Sequence, residues 1–238
     1  MRTLSRRSAT FAMISTTALG SAPAIAAVDP ADQARIEEDA VKAYLAKSEA
    51  EKTAASDKLV GVHKGDLTQD PHSGIVGNPQ GDVTIVQFFD YNCPFSRRVE
   101  PRVEALLKSD AGVKLIAREF IIEGVPSSPI AGRAALASLN QGKYAPYHQA
   151  MMTAAEFPLS VPRVFEIDQS VGLDVDRLRT DMEAPAIYAQ VIANFNLARA
   201  IRAFQTPAFI VNGHVLGGES AAINFPAEVA AARKRANR

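Results

Sequence analysis

Residues 83–98 constrain the fold of this chain more than any other stretch. Val83-Thr84-Ile85-Val86-Gln87-Phe88-Phe89 is a β-branched and aromatic run of strand length, and Asp90-Tyr91-Asn92 has the composition of a turn. From Cys93 onward, Val99, Val103, Leu106 and Leu107 recur at helical spacing. The one cysteine of the 238-residue chain therefore falls at a predicted helix N-terminus.

That position carries chemistry. Unpaired backbone N–H groups and the positive end of the helix dipole favour an anion there, which for cysteine means the thiolate. Arg97 and Arg98 bring cations close in sequence, the setting in which thiols become reactive. Pro94 fits the first helical turn, where its missing N–H costs nothing. A lone cysteine can also be a small buried core residue, but the strand, turn, Cys-Pro, helix context points to a reactive sulfur.

The segment Gly81-Asp82-Val83, Phe88-Phe89-Asp90-Tyr91-Asn92-Cys93-Pro94-Phe95, preceded by Gly77-Asn78-Pro79, resembles the active-site region of DsbA-like thiol-disulfide oxidoreductases. A second block, Thr206-Pro207-Ala208-Phe209-Ile210-Val211-Asn212-Gly213 with Gly217-Gly218 after it, resembles that family's cis-proline loop and following strand. Together the two cover roughly residues 66–224. The resemblance implies an α/β thioredoxin-like fold with an inserted helical subdomain. It also implies that Pro207 is cis and faces Cys93, with the Thr206 backbone free to pair with an extended substrate peptide.

Two departures from the family pattern stand out. The position of the second active-site cysteine is Ser96, giving Cys93-Pro94-Phe95-Ser96, and the buried glutamate expected six residues before the first cysteine is Gln87. In dithiol relatives that acid is thought to manage the proton of the second thiol. Losing both together is chemically coherent and points to altered chemistry.

Residues 1–26 are expected to be a secretory signal peptide. Arg2, Arg6 and Arg7 precede a modestly apolar stretch, and Ala24-Ile25-Ala26 suits cleavage. Ser5-Arg6-Arg7 hints at twin-arginine export, but Ala9 and Thr10 lack the bulk that follows such a pair, so the Sec and twin-arginine routes both stay open. The expected compartment is the periplasm. The whole chain balances 26 basic against 26 acidic residues; without residues 1–26, which hold three arginines and no acid, 23 face 26. That offers no phosphate-tracking surface, which argues against nucleic acid as a partner. No later segment is apolar over a membrane-spanning length, and no stable membrane insertion is expected.

Residues 27–62 are expected to form an N-terminal helical extension and linker. Ile36, Ala40, Val41, Tyr44 and Leu45 lie on a helical stripe outside the main fold, over a segment free of Gly and Pro from Ala31 to Val60. By resemblance, residues 29–59 could mediate homo-oligomerisation, which sizing with and without them decides. Residues 63–238 are expected to be the DsbA-like domain, with its helical insertion at about 127–204. His63 to Pro79 reads as linker and a first edge strand. Val113–Ile122 reads as a second central strand parallel to the first, and Glu119 and Glu123 are expected at the surface or a strand end. Helical segments are predicted at 130–139, 144–152, 161–171, 175–182 and 187–204, separated by Gly142, Pro158, Gly172 and Pro185. His148 is expected to be packed or hydrogen-bonded. A strand hairpin through Asn212-Gly213 and a closing helix from Pro226 complete the chain. No metal site and no cofactor are expected, since His63 and His72 lack a ligand pattern.

The function these residues predict is thiol-disulfide exchange by a single cysteine, acting on exported proteins that carry thiols or disulfides, as oxidoreductase, isomerase or deglutathionylating enzyme. Ser96 forms no S–S bond, so a mixed disulfide on Cys93 must be resolved by an external thiol, a substrate thiol or a redox partner. The alternatives are a redox-inactive peptide-binding or chaperone-like protein using the cis-proline groove, and regulation through an intermolecular Cys93–Cys93 disulfide.

Overall fold

The computed structural model describes residues 29–211, 213–217 and 223–236. The signal-peptide reading, the Asn212 turn position and Gly218 lie outside them. The described residues fall into two units taken separately, one ending at Ala46 and one beginning at Lys47.

Helix α1 runs over Pro30–Val62. In the first unit its Ile36, Val41, Tyr44 and Leu45 are exposed. In the second, Ser56 and Val60 are buried, and the Asp57 carboxylate accepts from the Val215 N–H and pairs with His214 at 2.6 Å. The last turns of α1 thus pack within the second unit rather than serving as a linker. Among the described residues, no helix is long and apolar enough to cross a membrane.

The second unit is organised on a five-stranded sheet of order β1-β3-β2-β4-β5. The strands are β1 (Gly74–Gly77), β2 (Val83–Phe89), β3 (Val113–Glu119), β4 (Ala208–Val211) and β5 (His214–Gly217). β2 and β3 pair in parallel through the crossover helix α3 (Pro94–Ser109), while β1, β4 and β5 add antiparallel. β2 is a near-continuous apolar run because both of its faces are covered. Val83 and Ile85 pack with Val99, Val103 and Leu106 of α3 and with Phe225 and Val229 of the closing helix. Val86 and Phe88, on the other face, meet Val60, Leu197 and Ile201.

Between β3 and β4 come α4 (Ser128–Ser138), a 3-10 turn at Leu139–Gln141, α5 (Tyr144–Thr153), α6 (Val161–Ser170), α7 (Val175–Asp181) and α8 (Pro185–Ala200). Their core of Ala131, Ala134, Tyr147, Met151, Val164 and Leu178 is continuous with Phe89 and Tyr91 at the end of β2. The caps explain the boundaries: Ser160 and Asp174 accept from the N–H groups of Arg163 and Arg177, and proline occupies the first turn of α4, α6 and α8. Gly142 ends the 3-10 turn at φ +64°, a conformation that glycine adopts without strain. The closing helix spans Phe225–Ala236.

The structure departs from the sequence reading at two further places. The predicted linker after His63 contains a five-residue helix, α2 (Lys64–Thr68), held by the buried Leu67. β3 stops at Glu119 rather than Ile122, because the Ile122 N–H turns away to the Asp90 carboxylate at 3.0 Å.

Candidate active site

The end of β2 and the start of α3 are joined by a turn with many hydrogen bonds. The Asp90 carboxylate accepts from the Asn92 N–H at 2.7 Å, the Ile122 N–H at 3.0 Å and the Ser128 hydroxyl at 2.8 Å. The Asn92 amide donates to the Ser127 and Ser128 hydroxyls, and its oxygen accepts from the Leu159 N–H at 2.7 Å. A buried carboxylate and amide with every group engaged fix a loop far better than its length would suggest. Burial nevertheless raises the Asp90 carboxyl above its ordinary range, against the opposing effect of its donors.

Cys93 is the N-cap of α3, extended at φ −81° and ψ 119°, with Pro94 at the first helical position. Its side chain is 5% exposed, and the S–H donates to the Thr206 carbonyl at 3.3 Å across 113 residues of sequence. The Thr206–Pro207 peptide is cis. The sulfur therefore lies against the loop that opens β4, with Phe95 exposed at its flank and Ser96 fully buried one turn below. The S–H to carbonyl bond needs the thiol proton, so ionising the sulfur forfeits it.

Arg97 and Arg98, expected to favour the thiolate, have contacts besides the sulfur. The Arg97 guanidinium donates to the Ala154 and Glu156 carbonyls and lies over the Phe157 ring at 5.3 Å, while Arg98 lies over Phe95 at 5.5 Å. They brace the rim of the site through cation–π contact.

Beneath the cysteine lies a group of buried polar side chains, of which sequence reasoning named Gln87, Ser96 and His148 and missed Glu100. Gln87, on the same face of β2 as Ile85 and Phe89, is fully buried, and among the described residues neither of its amide atoms has a hydrogen-bond partner. The Ser96 hydroxyl, Glu100 Oε2 and His148 Nε2 are likewise buried without partners. Burial pushes Glu100 up to about 7, reinforced by the Glu104 charge and opposed by the nearby Gln87 amide. Burial pulls His148 down to about 4, keeping it neutral, and its Nδ1 lies 3.0 Å from the Tyr91 hydroxyl. His148 is thus packed and hydrogen-bonded, as expected.

Glu119, expected at the surface or a strand end, ends β3 but is 1% exposed. It accepts from Tyr144 at 2.6 Å and from Asn194 at 3.4 Å, and burial pushes it up to about 7. Its folded value lies above the ordinary 4.5, so its contribution to stability is complete below about pH 4.5 and is lost as pH rises through about 7. Glu119→Gln is accordingly expected to stabilise the protein by on the order of 1–3 kcal/mol at pH 8 and to change little at pH 4.5, measured by thermal melts at both values.

Among the described residues, no group of three His, Cys, Asp or Glu is placed to hold a metal ion. A cavity of about 720 Å³ lies at the other end of β2, away from Cys93, lined by Val60, Leu67, Val83, Lys114 and Ile210.

A cysteine capping a helix, set against a cis-proline loop at the end of a mixed sheet, defines a thioredoxin-type site. The thioredoxin family model Thioredoxin_4 matches residues 69–227. The chain belongs to the thioredoxin family. A thioredoxin-like oxidoreductase from Silicibacter pomeroyi DSS-3 is 40% identical, with 71% of this chain and 97% of that one covered and a TM-score of 0.66. A linker-deletion mutant of Proteus mirabilis ScsC (20% identical, 90% and 99% covered, TM-score 0.68) shares the fold. So does the thiol-disulfide exchange protein alpha-DsbA2 of Wolbachia pipientis (22% identical, 79% and 97% covered, TM-score 0.66). Among curated proteins, a Na(+)/H(+) antiporter NhaA from Herminiimonas arsenicoxydans is 27% identical over 169 residues, covering 69% of this chain. The chain spans about a quarter of the length of the curated relatives it matches.

Proposed function

We propose that this protein is a periplasmic thiol-disulfide oxidoreductase that acts on exported proteins through the single sulfur of Cys93. The observation that carries this reading is the placement of Cys93 at the α3 N-terminus against Thr206 and Pro207, 3.3 Å from the Thr206 carbonyl. The likeness to the Silicibacter oxidoreductase supports it. Cys93 thiolate attacks a substrate disulfide, forming a Cys93–substrate disulfide and releasing the other substrate sulfur as thiolate. Ser96 cannot attack that mixed disulfide, so an external thiolate attacks the substrate sulfur, becomes joined to it and releases Cys93 as thiolate. Such a cycle suits isomerisation and deglutathionylation, because each step exchanges one disulfide for another with no net redox change.

Deglutathionylation of a glutathionylated peptide, followed as glutathione concentration is varied, tests the cycle. Turnover is expected to rise with external thiol from a near-zero intercept. A rate independent of thiol would mean that resolution is internal, and absence of turnover at every concentration would refute the enzymatic reading.

A second reading has one observation in its favour. The 5% exposure of Cys93 suits a redox-inactive protein that holds extended peptide along the Thr206 edge. On that reading, peptide binding persists without the sulfur.

A further inference from the structure

The cavity of about 720 Å³ at the start of β2 is built from one face of the sheet and two helical walls. Thr84 and Val86 share that face because alternate residues of a strand point the same way, and Ile210 joins them as the partner of Val86 in β4. Lys114 pairs with Thr84 and extends the face onto β3. The end of α1 and α2 form one wall through Val60, Lys64 and Leu67, and the closing helix forms the other through Ala232 and Arg233. Val60, Leu67, Val86 and Ile210 are buried, so the closed end of the cavity is hydrocarbon. β2 rises ~3.3 Å per residue, which puts this space on the order of 20 Å from Cys93.

The protein's own side chains tie these walls together. His214 Nδ1 lies 2.6 Å from the Asp57 carboxylate of α1, and Arg235 of the closing helix donates to Nε2 at 2.6 Å. A guanidinium has no acceptor, so Nε2 accepts and Nδ1 carries the proton that Asp57 receives. This chain of three joins α1, the β4–β5 hairpin and the closing helix next to the cavity-lining Gly213 and Ala236. Arg233 Nε and Nη2 bond both oxygens of Asp82, at 2.7 and 2.8 Å, and hold the closing helix to the start of β2.

Four charged residues line the cavity, and two of them, Asp82 and Arg233, satisfy each other. The other two are the exposed Lys64 and the half-buried Lys114. Among the described residues neither ammonium has a carboxylate within ion-pair distance. The volume falls within the range of about 300–1,000 Å³ that small-molecule sites occupy. We infer that the cavity binds a free carboxylate with a hydrocarbon body, of the medium-chain fatty acid type. The chain lies against Val60, Val86 and Ile210, and the carboxylate meets Lys64 and Lys114. Removal of the chain from water supplies the affinity, and the two ammonium groups supply the orientation. The thiol takes no part, so this binding stands apart from the exchange reading of Cys93.

Titration calorimetry of the full chain near neutral pH with octanoate, 1-octanol and octylammonium tests this. Octanoate is expected to bind at one site per chain, about tenfold or more tighter than octylammonium, as a charge-assisted hydrogen bond provides. Lys64→Gln combined with Lys114→Gln is expected to weaken octanoate about tenfold and to leave 1-octanol unchanged. Gly61 lies in the wall, where an added Cβ meets no atom within 4 Å, so leucine fits the helix there and takes up cavity space. Gly61→Leu is expected to weaken octanoate and 1-octanol alike, by about tenfold, with no fall in melting temperature. Absence of saturable octanoate binding in the millimolar range would overturn the inference, as would octylammonium binding as tightly as octanoate. Octanoate binding that neither substitution reduces would also overturn it, by placing the ligand elsewhere, for example on the exposed apolar residues of α1.

Discussion

Cys93→Ser is expected to lose thiol-disulfide exchange by about a thousandfold or more, down to the uncatalysed background, as removal of a covalent nucleophile does elsewhere. Cys93 is the only sulfur nucleophile of the chain, and the Ser96 hydroxyl one turn below is buried and forms no bond to sulfur. The substitution should leave the site intact. Serine is smaller by a fraction of an atom, and its O–H can donate to the Thr206 carbonyl as the S–H does. Peptide binding measured beside exchange then separates the two readings of the site. Lost exchange with kept binding fits the nucleophile, and undiminished exchange refutes it.

Arg118→Ala is expected to cost about 3–5 kcal/mol, the range for removing one partner from a buried ion pair. Arg118 lies one residue before the end of β3 and is 2% exposed. Its guanidinium meets the Asp70 carboxylate at 2.6 Å, the Asn194 amide oxygen and the Leu67 carbonyl at 3.1 Å each, and the Asp66 carbonyl. One side chain thereby ties α2, the turn before β1 and α8 to the central sheet. Truncation leaves the Asn194 oxygen and two carbonyls short of donors and opens a void where a long side chain had been. The Asp70 carboxyl, held below its ordinary range by the His72 N–H, Gln190 and Arg118 against the opposing effect of burial, loses one of its supports. Urea denaturation measures the loss, and a change under 1 kcal/mol would show that Arg118 is not the tie described.

The parts of the fold that were legible in sequence are those set by local pattern. The β2 run, the Asp-Tyr-Asn turn and the Cys-Pro helix start each have a short-range cause, and the helices between β3 and β4 are punctuated by Gly142, Pro158, Gly172 and Pro185. Helix α2 was not legible, because five residues have little helical stability of their own and Leu67 and Arg118 hold them in place. Glu119 was misplaced for a related reason. An acid at a strand end reads as exposed until Tyr144 and Asn194, brought from 25 and 75 residues away, cover it. Arg97 was assigned to the sulfur by nearness in sequence, yet the carbonyls and the ring that take it up come from residues 154–157. Glu100 did leave a trace, since Ser96, Glu100 and Glu104 fall on one helical stripe. Nothing local says that this stripe turns toward Gln87 and His148 rather than toward water.

Intact-mass measurement after mixing the protein with a peptide disulfide reads the behaviour of the sulfur most directly. The expected product carries one peptide per chain, attached at Cys93, stable when excess peptide disulfide is removed and discharged on adding a small thiol. A chain whose mass stays unchanged, or an adduct that discharges with no thiol added, would contradict the single-cysteine mechanism.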